Sequence, residues 1–230
     1  MRDIGTYHQD PSRYRELVDA LYQNHPAITL PPEYAYFVEK DLLRLLIRLA
    51  RYKFAARMLK PTDRVLEVGS GSGLGSIFLS QHCADVLGIE AKSAEVDEAR
   101  RINRRQNVSF RRADIFDLPA AGEWDVVVCL DVIEHMDEVG GRQLVNAAAR
   151  HLRPTGMLIL GSPSLYSYEH QSPLSRASHV KCYDQRDLLD VVESAFSRVL
   201  PFSMNDELVH TGFAKMAWYY FMLALGPTPH

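Results

Sequence analysis

The chain has 230 residues, of which 47% are hydrophobic and 24% are charged, a composition typical of one globular domain with or without an added cap. Its formal net charge of -3 argues against a protein that binds mainly by neutralising phosphates. Cys83, Cys129 and Cys182 form no CxxC pair, which favours a reducing compartment and excludes a zinc cage. The N-terminus lacks the apolar core of a secretory signal, and no apolar run reaches the roughly 20 residues of a membrane-spanning helix. We therefore expect a cytoplasmic protein.

The first 60 residues are predicted to be helical and to form a cap or lid next to a domain that spans residues 61–230. Between residues 37 and 60, apolar residues recur at helical spacing. Arg44, Arg48 and Arg51 fall on the other side of this helix, and we interpret them as a solvent-exposed stripe.

From residue 64 onward, short apolar strands alternate with helices. The predicted strands are 64–68, 85–90, 108–112, 124–130, 157–160, 198–204 and 213–225, and the predicted helices are 74–82, 94–105, 143–152 and 188–196. Such alternation predicts a parallel sheet covered by helices on both faces. The fold class is therefore α/β, with a doubly wound, seven-stranded, mostly parallel sheet of Rossmann-like topology and an N-terminal helical cap. Segments 161–183 and 205–212 are expected to be loops on the substrate side.

A glycine-rich turn follows the first predicted strand, and Glu67 stands two residues before its glycines Gly69, Gly71 and Gly73. Glycines directly after a strand and before a helix let a ligand lie against bare backbone at a helix N-terminus. The carboxylate of Glu67 would repel a pyrophosphate, whereas it suits a ligand that carries an ammonium group and a sulfonium group.

Two common types of glycine loop do not fit this turn. A Walker A loop has a lysine after its last glycine, and no lysine lies between Lys60 and Lys92. The GxGxxG pattern of dinucleotide-binding domains fails in both registers, because Leu74 and Ser76 stand where the third glycine is required. A nicotinamide-dependent dehydrogenase is therefore kept only as an alternative.

On these residues the chain resembles the class I S-adenosylmethionine-dependent methyltransferases over roughly residues 61–162, and among them the ubiquinone-pathway O-methyltransferases. The resemblance implies a Rossmann-like methyltransferase fold and S-adenosyl-L-methionine as cofactor. It also implies the cofactor-binding residues, which are Glu67, Gly69, Gly71 and Gly73, with Glu90 at the ribose, Asp114 and Ile115 at the adenine, and Asp131 at the methyl-donor end.

The segment after the fourth predicted strand supplies the candidate catalytic residues, Asp131, Glu134 and His135. Methyl transfer is an in-line displacement that needs alignment of the reactants and a deprotonated acceptor, and His135 is the candidate base. In ubiquinone-pathway relatives and in small-RNA 2′-O-methyltransferases, which the segment also resembles, such residues hold a divalent metal. Asp131, Glu134, His135 and His179 would correspond to that metal set. The prediction is that no metal is bound, with the metal site as the alternative.

The main functional prediction is an S-adenosylmethionine-dependent methyltransferase that acts on an oxygen atom of a small molecule. One alternative is an RNA or protein methyltransferase on the same fold, and the other is the dehydrogenase. We expect no nucleic-acid partner and no membrane partner, and the sequence does not indicate an oligomeric state.

Overall fold

The computed structural model describes residues 11–25 and 27–228 of the chain, which divides into two compact units, Met1–Leu30 and Pro31–His230. In the first unit, the described residues form helix α1, Pro11–Asn24. Residues 1–10 of the predicted cap lie outside the described residues, as do residues 229 and 230 of the predicted domain.

The second unit contains the helices and strands that follow α1 in the chain. Its helices are α2 (Pro32–Lys40), α3 (Leu42–Met58), α4 (Leu74–Leu79), α5 (Ser93–Ile102), α6 (Glu138–His151), α7 (Pro173–Ser178) and α8 (Gln185–Glu193). Its strands are β1 (Arg64–Val68), β2 (Asp85–Glu90), β3 (Val108–Arg112), β4 (Trp124–Leu130), β5 (Leu152–Pro163), β6 (Phe196–Asn205), β7 (Leu208–His210) and β8 (Tyr219–Pro227).

The described strands form one mixed sheet of eight strands in the order β3-β2-β1-β4-β5-β8-β6-β7. Strands β1 to β5 pair in parallel, whereas β8 is antiparallel to both of its neighbours and β7 is antiparallel to β6. This is the predicted Rossmann-like architecture, but the predicted number of seven strands is wrong. The eighth strand is β7, which lies inside the predicted loop 205–212 and is too short for an alternating pattern to reveal it.

Helices cover both faces of the sheet, as the doubly wound prediction requires. Buried side chains of α6 and α8 pack on one face, and buried side chains of α3, α4 and α5 pack on the other. Each large aliphatic side chain that is fully buried in these layers stabilises the fold by about 1.5–3 kcal/mol. Among them are Leu66, Leu79, Leu144, Leu158 and Leu188.

The predicted continuous helix over residues 37–60 is two helices, and two of its three arginines are not exposed as interpreted. Asp41 separates α2 from α3, and its side chain caps α3 by accepting a hydrogen bond from the Arg44 N–H at 3.2 Å. The side chains of Arg48 and Arg51 are only 29% and 20% exposed, and both pair with carboxylates. Leu46, by contrast, is 53% exposed. The solvent-exposed interpretation therefore holds for Arg44, whose side chain is 45% exposed. It is wrong for Arg48 and Arg51, because their ion pairs with Glu33 and Asp131 draw both side chains inward.

The order of the strands fixes where a ligand can bind. From β1 the chain winds outward through β2 and β3 on one side and through β4 and β5 on the other. Ligands of open α/β sheets bind at the carboxyl ends of the strands, at the point where the winding changes direction, which here lies between β1 and β4.

The predicted loop 161–183 contains more regular structure than expected. Strand β5 extends to Pro163, residues 165–170 form a 3₁₀ turn, and α7 follows. In the part of the chain that the structure describes, no helix combines the length and the apolar composition that crossing a membrane requires.

Candidate active site

Four of the predicted acidic residues lie at the carboxyl ends of neighbouring strands. Glu67 lies in β1 one residue before its end, Glu90 ends β2, Asp114 follows β3 by two residues, and Asp131 directly follows β4. Because the sheet order is β3-β2-β1-β4, these carboxylates follow one another along a single edge. The structure thus brings together the acidic residues that the sequence predicted to share a site.

The turn between β1 and α4 has a backbone that only glycine adopts easily. Gly69, Gly71 and Gly73 have φ values of 72°, 52° and 88°. A Cβ atom on Gly69 would lie 2.5 Å from Val132 Cγ2, so a side chain is excluded there by space as well as by backbone conformation. The N–H groups of Gly69 and Ser70 both bond to the carbonyl of Ile89, which ties the turn to β2.

Glu67 is a buried carboxylate with one free acceptor atom. It is 1% exposed, and its Oε2 accepts a short hydrogen bond from the Ser76 hydroxyl. The other oxygen, Oε1, has no hydrogen-bond partner among the described residues. Burial raises the pKa of Glu67 to about 7, although the hydroxyls of Ser76 and of Tyr52 on α3 oppose that rise. A buried anion with an unused oxygen fits a cationic ligand group such as an ammonium.

Glu90 organises backbone next to the glycine turn and keeps acceptor capacity. Its Oε2 accepts from the Gly71 N–H at 3.2 Å, and its Oε1 accepts from the Lys92 N–H at 3.0 Å. Each carboxylate oxygen can accept two hydrogen bonds, so two acceptor positions remain. That capacity fits a pair of ribose hydroxyls.

The turn that contains Asp114 and Ile115 is held from two sides. The Asp114 side chain is exposed and accepts from the Phe116 N–H at 3.1 Å, and the Asp114 carbonyl accepts from the Asp117 N–H at 3.1 Å. Ile115 is buried, and its carbonyl lies 3.3 Å from Nε2 of the buried His151. The turn is therefore rigid where the sequence predicted contacts to adenine, and that role stays a prediction.

Asp131 is held by an arginine that the sequence analysis had assigned to the solvent. The Nη1 of Arg51 donates to both carboxylate oxygens, at 2.7 and 2.5 Å, and the guanidinium lies 4.1 Å from the centre of the Tyr219 ring. The backbone of Asp131 is left-handed, with a φ of 60°, and its N–H donates to the Gly161 carbonyl. Helix α3 therefore supplies a cation at the predicted methyl-donor end of the site.

Glu134 is fully buried beside this ion pair. Its Oε2 has a long hydrogen bond of 3.5 Å from the Ser162 hydroxyl, and its Oε1 has no partner among the described residues. Burial raises the pKa of Glu134 well above its usual range, and the nearby Asp131 raises it further. The Glu134 carbonyl accepts from the N–H groups of Val180 and Lys181, which brings residues 179–181 to the end of β4.

His135 and His179 form a pair at the same edge, with ring centres 5.2 Å apart. The Nδ1 of His135 lies 2.9 Å from the carbonyl oxygen of Ser178. Because a carbonyl oxygen only accepts, Nδ1 carries the proton and the Nε2 of the neutral ring keeps a lone pair. His135 is exposed, so this lone pair is available to a ligand. The Nδ1 of His179 is buried and has no partner among the described residues.

Comparisons with known proteins agree with the resemblance that the sequence shows. A family model described as a methyltransferase domain matches residues 65–156. The ubiquinone biosynthesis O-methyltransferase of Rickettsia akari (strain Hartford) is 30% identical over 100 residues, which are 43% of this chain and 39% of that protein. The match confirms the predicted resemblance to the methyltransferases over residues 65–156. The chain spans less than half the length of the relative that it matches.

Solved structures of methyltransferases share the fold of this chain. The N-methyltransferase NodS from Bradyrhizobium japonicum WM9, in complex with S-adenosyl-L-homocysteine, has a TM-score of 0.54 at 20% identity, covering 94% of this chain and 98% of that one. An S-adenosylmethionine-dependent methyltransferase from Mesorhizobium loti has a TM-score of 0.59 at 16% identity, covering 78% of this chain and 99% of that one. At such identities the similarity concerns the fold alone.

The residues around Glu134 also fit a divalent cation, the alternative that the sequence left open. Glu134, His135 and His179 each offer one ligand atom, and these atoms lie within 4.8 Å of one another. Two of the three side chains carry buried polar atoms without a partner among the described residues, and two imidazoles with a carboxylate suit first-row metals. Asp131 does not belong to this group, because Arg51 holds both of its oxygens.

The residues that support the acidic edge from elsewhere in the chain were not predicted from the sequence. They are Arg48, Arg51 and Tyr52 on α3, Ser76 on α4 and His151 at the end of α6. The sequence of a helix does not show which residue its polar side chains will pair with when the partner is distant in the chain. Arg51 and Asp131, for example, are 80 residues apart. The only available signal was that two of these arginines lie one helical turn apart.

Proposed function

We propose that this methyltransferase transfers the methyl group of S-adenosylmethionine to an oxygen atom of a small molecule. The observation that carries the proposal is the row of carboxylates along the edge of β3, β2, β1 and β4, next to a glycine turn whose backbone is open to a ligand. Such a row suits a cationic nucleoside and repels a pyrophosphate, which also argues against the dehydrogenase.

Each part of the cofactor has a matching group along this row. The free oxygen of Glu67 would accept from the ammonium group, and the open positions of Glu90 would accept from the ribose hydroxyls. Asp114 and the backbone of Ile115 would contact the adenine. Asp131 and its partner Arg51 would lie near the sulfonium end, where the charge of Asp131 favours the positive sulfur.

The chemistry requires little beyond alignment and removal of one proton. S-adenosylmethionine supplies a methyl group on a positively charged sulfur, which leaves as a neutral thioether. Holding the acceptor in line with that bond supplies up to about 7–11 kcal/mol. The Nε2 lone pair of His135 would take the acceptor proton, and the hydrogen bond between Nδ1 and the Ser178 carbonyl supports this role because it fixes the tautomer.

Two observations favour a small acceptor over RNA or protein. Aromatic side chains line the same end of β5 and β8, where the rings of His170 and Trp218 stack with centres 5.7 Å apart. Tyr166 and Tyr168 lie in the same segment and are about two fifths exposed, at 41% and 42%. Flat, partly exposed rings suit a compact planar acceptor. The formal net charge of -3 gives no general attraction to a polyanion.

The test uses methyl-tritiated S-adenosylmethionine with three separate fractions of a cell extract: small molecules, RNA and protein. We expect label in the small-molecule fraction, bound as an ether or ester. His135→Gln should lower turnover about 100-fold or more, which is the contribution of a general base. His82→Gln is the matched control, since His82 precedes β2 at the opposite edge of the sheet.

Several outcomes would refute the proposal. Label that appears only in RNA or protein would refute the small acceptor, and label on nitrogen, carbon or sulfur would refute the oxygen acceptor. Tight binding of NADH, together with no binding of S-adenosylhomocysteine in a calorimeter, would favour the dehydrogenase instead.

A divalent cation bound by Glu134, His135 and His179 would assist the same step by lowering the pKa of an acceptor hydroxyl. If this alternative holds, a chelator should abolish turnover and Mg²⁺ or Mn²⁺ should restore it. His179→Gln should also weaken the binding of Mn²⁺ to the protein, measured by electron paramagnetic resonance without cofactor. Full turnover in chelator would exclude the metal.

A further inference from the structure

The buried carboxylate of Glu67 has two hydroxyl neighbours, and one of them comes from outside the methyltransferase motifs. Ser76 belongs to α4, which directly follows the glycine turn. Tyr52 belongs to α3, ahead of β1; its ring packs against Gly75, the neighbour of Ser76, and its hydroxyl lowers the pKa of the same carboxyl group. Oε1 of Glu67 stays without a partner among the described residues, so the two hydroxyls leave one oxygen for a ligand.

The position of Tyr52 depends on a close contact between its ring and the helix after the turn. Tyr52 is 8% exposed, and a Cβ atom on Gly75 would lie 2.1 Å from its ring carbons Cε1 and Cζ. Only a glycine therefore lets the ring approach α4 this closely. This contact holds the ring against α4, next to the Ser76 that bonds to Glu67, and limits the directions in which the ring can move.

Resting on the proposed function, we propose that Tyr52 is a positioning residue that holds Glu67 ionised and oriented for the ammonium group of the cofactor. Its hydroxyl can donate to the carboxylate, and a hydrogen bond to the charged form favours that form. Without this donor the buried carboxylate would more readily take up a proton, and a protonated Glu67 would no longer attract a cation. Helix α3 is then part of the cofactor site as well as a cover for the sheet.

Other charged and titratable groups also act on Glu67. They are Tyr34 on α2, Arg48 on α3, Glu90 on β2 and Cys129 on the neighbouring strand β4. Arg48 favours the ionised carboxylate and Glu90 opposes it, and both remain in place when Tyr52 is changed. The pKa of Glu67, raised to about 7 by burial, places its titration in a range where binding can be measured.

The test is the affinity for S-adenosylhomocysteine, measured by calorimetry from about pH 5.5 to about pH 8.5, in the wild type, in Tyr52→Phe and in a matched control. Phe keeps the packing of the ring against Gly75 and removes only the hydroxyl. Tyr183→Phe is the control, because Tyr183 is fully buried and its hydroxyl has no partner among the described residues.

We expect the wild-type affinity to rise with pH through about 7, where Glu67 becomes ionised. In Tyr52→Phe the midpoint should move up by about one pH unit, so that affinity falls about tenfold below the midpoint and less than about threefold at the alkaline end. The control should follow the wild-type curve. An equal loss at every pH would indicate a merely structural role and would overturn the inference, as would a curve that matches the wild type.

A second measurement keeps the inference testable if Tyr52→Phe does not fold. Replacing Tyr52 by 3-fluorotyrosine makes the phenol a stronger donor and should move the midpoint to lower pH, whereas an unchanged or higher midpoint would overturn the inference. The experiment distinguishes a failure of the proposed function from a failure of this inference. A wild type that binds no S-adenosylhomocysteine at any pH refutes the proposed function, while binding that is indifferent to Tyr52 refutes only this inference.

Discussion

Breaking the ion pair between Arg51 and Asp131 tests how helix α3 is held at the edge of the sheet. Both side chains are about one fifth exposed, at 20% and 19%, and two short hydrogen bonds join them. Arg51→Met would leave the Asp131 carboxylate unpaired next to the buried Glu134. Asp131→Asn would leave the guanidinium over the Tyr219 ring without its anion. Each single change therefore leaves one charge that water reaches poorly.

The stability lost on breaking this ion pair should lie between the values known for exposed and for buried pairs. Exposed pairs contribute about 0–1 kcal/mol, and removing one partner of a buried pair costs about 3–5 kcal/mol. Because both side chains are about one fifth exposed, we expect each single variant to lose about 2–3 kcal/mol of the free energy of unfolding. Asn is chosen over Ala because position 131 has a left-handed backbone, which Asn tolerates and Ala does not. The double variant has no unpaired charge, so we expect a coupling energy of about 2 kcal/mol.

The assay is urea unfolding of the two single variants and the double variant without ligand, with extrapolation to zero urea. The control cycle uses Arg186 and Asp190, an exposed pair one turn apart on α8, for which coupling below about 0.5 kcal/mol is expected. If the two cycles give the same coupling, the ion pair does not hold α3, and the argument from partial burial is refuted.

Three further predictions concern single residues around the site. Glu90→Ala should weaken the binding of S-adenosylhomocysteine tenfold or more, which is roughly the effect of losing hydrogen bonds to a charged group. Unchanged affinity in a calorimeter would show that Glu90 does not bind the ribose. Gly75→Ala should lower the free energy of unfolding, measured with urea, by about 1–3 kcal/mol, because the new methyl group overlaps the Tyr52 ring. An unchanged free energy of unfolding would mean that the ring moves away easily. His151→Leu should weaken binding of the same ligand about fivefold, since the Ile115 carbonyl loses its donor, and wild-type affinity would contradict this role.

The parts of the site that follow one another along the chain could be predicted from the sequence. Strands β1, β2 and β4 are mainly apolar runs, and β3 alternates before its two arginines. A carboxylate lies at or near the carboxyl end of each, so strand order and strand ends together placed Glu67, Glu90, Asp114 and Asp131 on one edge. The glycine turn could be predicted for the same reason. Its pattern is local, and its backbone conformation depends mainly on its own residues.

The contacts that α3 makes with this edge could not be predicted. The helix has leucines on one side and arginines on the other, and the usual rule buries the leucines. In the structure Leu46 is exposed while Arg51 pairs with a residue 80 positions away. Pairing over such a distance depends on the completed sheet, because Asp131 comes within reach of α3 only when β4 lies next to β1. The period of a helix shows that it has two faces, but not which of them meets a charged partner.

The burial of Glu67 predicts how stability depends on pH without any ligand. Folding raises the pKa of this carboxyl from its ordinary 4.5 to about 7, so the folded protein binds a proton more tightly than the unfolded chain does. Stability should therefore fall as the pH rises from about 4.5 to about 7, by about 3 kcal/mol in total, and stay level above that range. The buried Glu134 acts in the same direction, whereas His151 and His179, whose pKa values are lowered mainly by burial, act in the opposite one. Comparing the wild type with Glu67→Gln by urea unfolding at a series of pH values cancels the contributions of the other three. The difference in stability between the two proteins should change by about 3 kcal/mol over this range, and a constant difference would mean that water or a rearranged partner relieves the buried charge of Glu67.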